Sequence, residues 1–201
     1  DKTQGLEVKR QRLADLYHVS DFVAKAPTLD VLAQGFARRV RHITHADACA
    51  VRWCDEGNQR YHLLASDGLA EPVARNEACV NTGSCHCGQV SAEAGTRVIP
   101  IAPTQRLPLP HCADAGYRTV LSVPVRLQER VLGEVDLFFR APIQLSDEDR
   151  ELLDTLASHL ASAMEGLRAA ALEREAAVAE ERNLLAQELH DSIAQSLAFM
   201  K

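Results

Sequence analysis

The run from Gly116 to Phe139, GYRTVLSVPVRLQERVLGEVDLFF, carries the strongest fold signal in this chain of 201 residues. Two apolar stretches, 120–127 and 131–139, flank a short polar segment, which is the pattern of two strands joined by a tight turn. Pro124 lies inside the first stretch and cannot donate a backbone hydrogen bond, so we expect an edge position or a bulge there. The sequence therefore predicts a β-hairpin at this point.

Further short strands lie upstream of the hairpin. Residues 49–53 alternate in character, with Arg52 on one face and its apolar neighbours on the other. Residues 61–65 follow after a turn, and 97–101 have the composition of another short strand. The segments 67–96 and 102–118 are rich in Gly, Pro and Cys, which indicates loops with short helices. The pattern predicts an antiparallel sheet with long connections.

Helical periodicity brackets the strands. Apolar residues recur at spacings of three, four and seven from Leu6 to Val40, and Pro27 interrupts them, which predicts two helices. A third helix is predicted to begin at Ser146, where the sequence SDED resembles a capping box. No proline follows before Lys201, so this helix could be roughly 80 Å long. A helix of that length is stable mainly when it is paired, which predicts a partner helix.

The long helix also carries a heptad pattern. Two series of apolar residues recur every seven positions and are offset from one another by four: Leu153, Leu160 and Leu167, then Ala171, Val178 and Leu185. Such an offset is a stutter, a local change in the winding of a coiled coil. Charged residues at 173–175 and 180–182 leave no wide apolar face. The pattern therefore favours a two-stranded coiled coil over a surface helix with an Ala-rich face.

The hairpin and the start of the long helix resemble those of a GAF domain, with Val-Pro in the first strand and an early Gly in the second. The resemblance covers about residues 12–168. It implies an α+β fold, in which helices flank an antiparallel sheet and a ligand pocket lies on one side. The implied divisions are an incoming signalling helix (1–25), a GAF-like domain (26–168), and a linker helix with the start of a dimerisation and phosphoacceptor helix (169–201).

Residues 180–197, EERNLLAQELHDSIAQSL, place a histidine, an adjacent acid and an amide on one helix. An unprotonated imidazole can attack the γ-phosphate of ATP, and a neighbouring carboxylate can orient the ring. Leu185, Leu189, Ile193 and Met200 form a stripe that would face a partner helix. His190 lies about 100° around the helix from Leu189, so we expect it at the accessible edge of that contact.

This segment resembles the phosphoacceptor helix of sensor histidine kinases of the NarX-type nitrate/nitrite sensor family. In that family Glu-Leu-His-Asp followed by Gln is the phosphoacceptor and phosphatase motif. The resemblance implies that His190 is phosphorylated and that Asp191 is the acid of the kinase and phosphatase steps. It further implies that Gln195 is the amide that holds water against the phosphoaspartate of a response regulator.

The same resemblance implies the partners of the chain. They are a second copy of the chain, a response regulator of the NarL type, and an ATP-binding domain in the parent protein. Because no glycine-rich ATP-binding sequence is present, we expect no autophosphorylation by this chain alone. Nitrate is sensed outside the membrane in that family, which favours a relay role over direct nitrate binding.

Four of the six cysteines suggest a separate role: Cys79, Cys85, Cys87 and Cys112. If they converge over the pocket face, they could bind zinc, hold an iron–sulfur cluster, or cycle between thiol and disulfide. Their spacing matches no standard metal motif, and small buried thiols are common in protein cores. The alternative function is therefore a GAF-like ligand-, metal- or redox-sensing module whose cysteines are the sensor.

Charge and hydropathy exclude other classes. The net charge of -6 and the lack of a basic block argue against nucleic-acid binding. No apolar run approaches the roughly 20 residues of a membrane span. The chain begins without Met or a signal peptide, so we expect it to be part of a longer protein. The resemblance to the NarX-type sensors implies that this part is cytoplasmic and that the parent is a protein of the inner membrane. The expected function is signal relay within a two-component sensor histidine kinase.

Overall fold

The computed structural model describes residues 2–55, 57, 59–81, 95–101 and 111–199. Two helices lead the chain, α1 at Lys2–Lys25 and α2 at Leu29–Thr44, as the break at Pro27 predicted. The Thr28 side chain caps α2 by accepting a hydrogen bond from the backbone N–H of Val31.

The strands follow with the short helices between them. They are β1 Ala48–Asp55, β2 Arg60–Asp67, α3 Glu71–Asn76, β3 Cys79–Asn81, β4 Arg97–Pro100, α4 His111–Asp114, β5 Thr119–Leu127, β6 Arg130–Phe139 and α5 Asp147–Phe199. The described strands form one antiparallel sheet in the order β3-β2-β1-β6-β5-β4. The α+β, GAF-like architecture is confirmed. Of the strands, β3 was not predicted, because three residues are too few to show a period.

The predicted hairpin is present as β5 and β6, and its proline is accommodated as expected. Strand β4 pairs with β5 only as far as Ser122, so Pro124 lies beyond that ladder. The pairing of β5 with β6 shifts register between Val125 and Arg126, directly after the proline. The missing N–H of Pro124 therefore interrupts no ladder on the β4 side.

The early glycine of β6 is required by a close approach between strands. A Cβ placed on Gly133 would lie 2.0 Å from the carbonyl oxygen of Arg52 on β1. Any larger residue would push β1 and β6 apart at the centre of the sheet.

Apolar residues pack on both faces of the sheet. Helix α2 packs against β1 and β2 through a buried stripe that includes Leu32 and Phe36. On the other face a second cluster is built around Ala50, Tyr117 and Phe138. Because both faces are covered, a polar side chain on either face of a central strand is removed from water.

The start of α5 belongs to the domain core, which corrects the heptad interpretation. Leu153 and Leu160, members of the first predicted series, are buried in the unit that spans Asp1–Met164. They therefore pack within the domain, where burial of apolar area stabilises the fold, and not along a coiled-coil seam. Ser146 caps the helix as predicted, accepting a hydrogen bond from the backbone N–H of Asp149 at 3.1 Å.

The chain divides into two compact units, Asp1–Met164 and Glu165–Lys201, and α5 contributes to both. None of the described helices combines the length and the apolar character that a membrane span requires.

Candidate functional site

The predicted phosphoacceptor residues lie together on the last turns of α5. His190 and Asp191 have side chains that are 85% and 79% exposed, and His190 Nδ1 lies 3.7 Å from Asp191 Oδ1. The separation is longer than a direct hydrogen bond, and both groups are exposed to solvent. Gln195 lies one turn after Asp191 and is also exposed. An accessible imidazole with a carboxylate beside it is equipped for phosphoryl transfer.

Apolar side chains on the same helix are left uncovered by the residues that the structure describes. Leu185, Leu189 and Ile193 are exposed, and we call these three residues the α5 stripe. Met200, the fourth residue of the predicted stripe, lies outside the described residues. Their spacing of four places them on one side of the helix, and Leu189 is separated from His190 by about 100°. The stripe and the phosphoacceptor group therefore occupy neighbouring faces.

A second polar group lies buried within the sheet. Arg52 on β1 pairs across the ladder with Glu134 on β6, next to the pair formed by Ala50 and Asp136. Cross-strand partners share a face, so all four side chains lie on the face of the Phe138 cluster. Arg52 is 1% exposed, Glu134 3% and Asp136 0%. Charged residues are rarely buried so completely unless they are paired.

Arg52 holds two of the buried carboxylates. Its Nε donates to Asp136 Oδ2 at 2.9 Å, and its Nη2 donates to Glu77 Oε2 at 2.6 Å. Glu77 follows α3 and is itself buried, so the guanidinium ties the centre of the sheet to that short helix. Both bonds are charge-assisted, which makes them stronger than bonds between neutral groups.

Glu134 is the third buried carboxyl group beside Arg52, and neither of the two Arg52 bonds described above goes to it. Burial raises the pKa of Glu134 well above its usual value, and the neighbouring Asp136 raises it further. Arg52 and Arg97 oppose the shift, but burial dominates. A neutral Glu134 can donate a hydrogen bond to Asp136, so the two side chains behave as a carboxyl–carboxylate pair. We refer to Glu134 and Asp136 as the carboxyl pair.

A third contact ties the edge of the sheet to α5. The Asp154 Oδ1 atom accepts from the backbone N–H of Thr96 at 3.1 Å and from its hydroxyl at 2.7 Å. Arg150, one turn earlier on α5, donates to the carbonyl oxygen of Thr96. We call these three residues the Thr96 clasp. Arg97, the next residue, begins β4 and donates to Ser122 on β5 at 3.3 Å. The clasp therefore adjoins the face of the sheet that carries Arg52 and the carboxyl pair.

Removing the clasp carboxylate is expected to destabilise the domain. In Asp154→Ala, Thr96 loses the acceptor for two of its donors, and Thr96 is 2% exposed. We expect a loss of about 1–3 kcal/mol in the free energy of unfolding, measured by urea titration. Glu151→Ala, on an exposed position of the same helix, is the matched control and should change stability by less than about 0.5 kcal/mol. Equal stability of the two variants would contradict a role for the clasp.

The predicted cysteine site is described only in part. Cys79 is exposed on β3, and Cys112 is buried in the cluster of Tyr117 and Phe138. Cys85 and Cys87 lie outside the described residues. Among the residues that the structure describes, no group of His, Cys, Asp and Glu side chains could hold a metal ion. The described part therefore offers no support for the cysteine-sensing alternative, and the packing of Cys112 is that of a core residue.

Sequence reasoning missed the buried polar group. The alternation in β1 correctly placed Arg52 and Val51 on opposite faces of the strand. Both faces of this sheet are covered, however, so Arg52 is buried as well. One signal was available in β6, where Glu134 and Asp136 are spaced by two within an otherwise apolar strand. Two acids on one face of a buried strand indicate a polar cluster.

Comparison with known families identifies both parts of the chain. A family profile described as GAF domain matches residues 28–164, and one described as histidine kinase matches residues 181–201. The second match contains His190, Asp191 and Gln195. A GAF domain is therefore followed in this chain by a short segment similar to a histidine-kinase family.

A curated relative is named as a sensor histidine kinase. The sensor histidine kinase YhcY of Bacillus subtilis (strain 168) is 28% identical over 148 residues, which cover 71% of this chain and 39% of the relative. The chain thus spans about two fifths of that protein. The match supports a histidine-kinase origin in general and does not single out the nitrate/nitrite sensors.

Solved structures support the fold. The GAF domain of a phosphoenolpyruvate-protein phosphotransferase (ptsP) from Coxiella burnetii superimposes with a TM-score of 0.69, at 24% identity, over 80% of this chain and 96% of that one. The GAF domain of the Acinetobacter phosphoenolpyruvate-protein phosphotransferase gives a TM-score of 0.67, at 21% identity, over 80% and 97%. At these identities the likeness concerns the fold alone.

Proposed function

The chain belongs to the GAF-domain family, and from that premise we propose that it is the signal-relay part of a two-component sensor histidine kinase. In this proposal the GAF domain biases the geometry of α5, and α5 presents His190 for phosphorylation. The observation that carries the proposal is the match of residues 181–201 to a histidine-kinase segment on the same continuous helix that begins in the GAF domain.

The assigned roles follow from the chemistry of the three side chains. His190 is the phosphoryl acceptor, since its imidazole is exposed and able to meet a separate ATP-binding domain. Asp191 orients the ring and stabilises its cationic form. Gln195 positions a water for hydrolysis of the phosphoaspartate of a response regulator. ATP is bound by another domain of the parent, and this chain supplies the acceptor.

The proposal is tested by phosphorylation in trans. The chain is incubated with ATP labelled at the γ-phosphate and with a separately produced ATP-binding domain of a histidine kinase of the same type. We expect an acid-labile label on the chain, as a phosphohistidine would give, and none when the ATP-binding domain is omitted. An acid-stable label, or none under any condition, would contradict the proposal.

A homodimer through the α5 stripe completes the proposal. Leu189 is 65% exposed and Ile193 59%, which is unusual for residues of this size at regular helical spacing. A second copy of the helix would cover them and leave His190 at the edge of the contact. The exposed second heptad series upstream, which includes Val178, would extend the same seam.

Substitution within the stripe is expected to weaken the dimer. Leu189→Glu places two like charges at a symmetric contact, so we expect the dimer dissociation constant to rise by about tenfold or more, measured by analytical ultracentrifugation. Ala194→Glu is the control, since it adds the same acid about 140° around the helix from Leu189. A dimer unaffected by Leu189→Glu would rule out this seam.

The contacts of α5 with the rest of the GAF domain offer a route for the signal. The Thr96 clasp holds one turn of α5 against the edge strand, and Arg12 of α1 is ion-paired with Glu148 and Asp149 at the start of α5. A change at the sheet or in α1 therefore acts directly on the first turns of the output helix. We propose that α1 carries the incoming signal, that the parent is an inner-membrane kinase of the NarX type, and that its partner is a NarL-type response regulator.

A further inference from the structure

Basic side chains line a surface cavity at the C-terminal end of α2. The cavity has a volume of about 350 Å³, and its lining consists of Arg38, Arg41, His42, His45, Ala46 and Asp67. Four of these residues are basic and one is acidic, although the chain as a whole carries a net charge of -6. A concave surface whose charge opposes that of the whole chain concentrates ligands of the opposite sign, which here are anions.

The cavity lies on the α2 side of the sheet, opposite the cluster of Phe138. Asp67 at the end of β2 pairs with Cys49 on β1, and Cys49 directly precedes Ala50, a member of that cluster. Successive side chains of a strand point to opposite faces, whereas cross-strand partners share a face. Asp67 and Cys49 therefore lie on the face that α2 covers, and the cavity is separate from the buried polar group around Arg52.

Arg41 is held in place by contacts within the domain. Its Nη1 donates to Asp67 Oδ2 at 2.9 Å, and its Nε donates to the carbonyl oxygens of Ala46 at 3.3 Å and Asp47 at 3.1 Å. A Cβ placed on Gly68 would lie 2.8 Å from Arg41 Cζ, so the backbone after β2 passes directly against the guanidinium. The Nη2 atom donates to no acceptor among the described residues. A guanidinium fixed in this way loses little further freedom when Nη2 binds a ligand.

The other three basic side chains have no partner within the described part of the chain. Arg38, His42 and His45 are exposed, and none of their side chains makes a hydrogen bond or an ion pair there. Their spacings of four and three place them on one side of the last two turns of α2. The helix dipole favours cations within the last turn, but Arg38 lies six positions before the end of α2 at Thr44. Stabilisation of the helix end therefore does not account for the whole cluster.

His45 occupies a backbone conformation that favours glycine. It follows the last residue of α2 with φ 54° and ψ 30°, in the left-handed region. Glycine or asparagine is usual at this position, because a larger side chain is crowded there. The backbone N–H groups of His45 and Ala46 donate to the carbonyl oxygens of His42 and Arg41, so these acceptors at the helix end are satisfied. The local fold needs the backbone of His45, and its imidazole remains available for another role.

We propose that this cavity binds the phosphate monoester group of a small phosphorylated molecule. Such a group carries three acceptor oxygens and a charge of about -1.5 to -2 at pH 7, which matches four basic side chains better than a carboxylate does. The cavity lies near the lower end of the range of small-molecule sites, about 300–1,000 Å³, so the ligand has few atoms beyond its phosphate. The site belongs to the GAF domain and does not depend on phosphorylation of His190, so each proposal can fail without the other.

Binding is tested on the full chain with β-glycerol phosphate and inorganic phosphate as probes. Glycerol is the neutral match, and sodium acetate at the same ionic strength is the monoanion control. The chain is labelled with ¹⁵N, and the Nε–H signal of Arg41 and the amide signals of His45 and Ala46 are followed by NMR. We expect saturable shifts with both phosphates and none that saturate with glycerol or acetate. Equal shifts with acetate, or no shifts with either phosphate, would overturn the proposal.

Two variants separate the cavity from nonspecific charge. Arg38→Gln removes a cation that makes no contact with the described fold, so the chain should stay folded while its affinity for β-glycerol phosphate falls by at least about tenfold. Arg60→Gln removes the same charge from an exposed position at the opposite end of β2 from Asp67, and it should bind as the wild type does. Undiminished binding by Arg38→Gln would refute the site.

His45→Gly distinguishes a role in binding from a role in the fold. Glycine adopts the left-handed conformation without crowding, so the variant should unfold at the same urea concentration as the wild type or at a higher one. Its affinity for β-glycerol phosphate should nevertheless fall by about threefold or more, because one donor is lost. Lower stability together with unchanged binding would show that His45 serves the fold, and would count against the assignment.

Discussion

Phosphoryl labelling of the chain is expected to vanish in His190→Ala. Residues 165–201 of the sequence contain a single histidine, His190, so removing its imidazole removes the proposed acceptor and not merely its efficiency. The measurement is transfer of the γ-phosphate from ATP in the presence of the separate ATP-binding domain. We expect the loss to be complete within the sensitivity of the assay.

The control for this variant lies on the same helix. His159 is exposed and its Nδ1 is 2.7 Å from the hydroxyl of Ser20, so it is a surface histidine with a structural contact. His159→Ala should be labelled as strongly as the wild type. His190→Ala should also unfold at the wild-type urea concentration, because an exposed side chain contributes little to stability. A label that survives His190→Ala would refute the assignment of the phosphoacceptor.

Arg52→Ala is expected to cost about 3–5 kcal/mol in the free energy of unfolding. The guanidinium is buried and bonded to Asp136 and Glu77, and its removal leaves two buried carboxylates without their cation. Native domains are stable by only about 5–15 kcal/mol, so this variant should be largely unfolded in modest urea. The free energy is measured by urea titration followed by circular dichroism.

Arg60→Ala is the matched control for the buried arginine. Arg60 begins the neighbouring strand β2 but is exposed, and we expect its removal to change stability by less than about 0.5 kcal/mol. A loss below about 1 kcal/mol in Arg52→Ala would indicate that water reaches Asp136 and Glu77 after all.

Local patterns determined much of this protein. The two N-terminal helices, the hairpin of β5 and β6, and the start of α5 at Ser146 each depend on periodicity or capping within a dozen residues. The proposed phosphoacceptor group is equally local, since His190, Asp191 and Gln195 fall within six positions of one helix. Such features can be read from the sequence because neighbours along the chain decide them.

Tertiary structure decided which faces are covered. The heptad interpretation of α5 failed at Leu153 and Leu160 because a stripe of leucines serves a domain core as well as a coiled-coil seam. Periodicity identifies an apolar face, but only the fold specifies what packs against it.

The sequence by itself thus determined the two N-terminal helices, the hairpin and the start of α5, and it predicted the phosphoacceptor motif. The burial of the carboxyl pair, the two bonds of Arg52 and the Thr96 clasp came only from the packed sheet. Arg52 and Asp136 are 84 positions apart, and the register of β1 on β6 brings them together. Their properties depend on the loss of water around them, and no stretch of sequence encodes that loss until distant strands have closed over it.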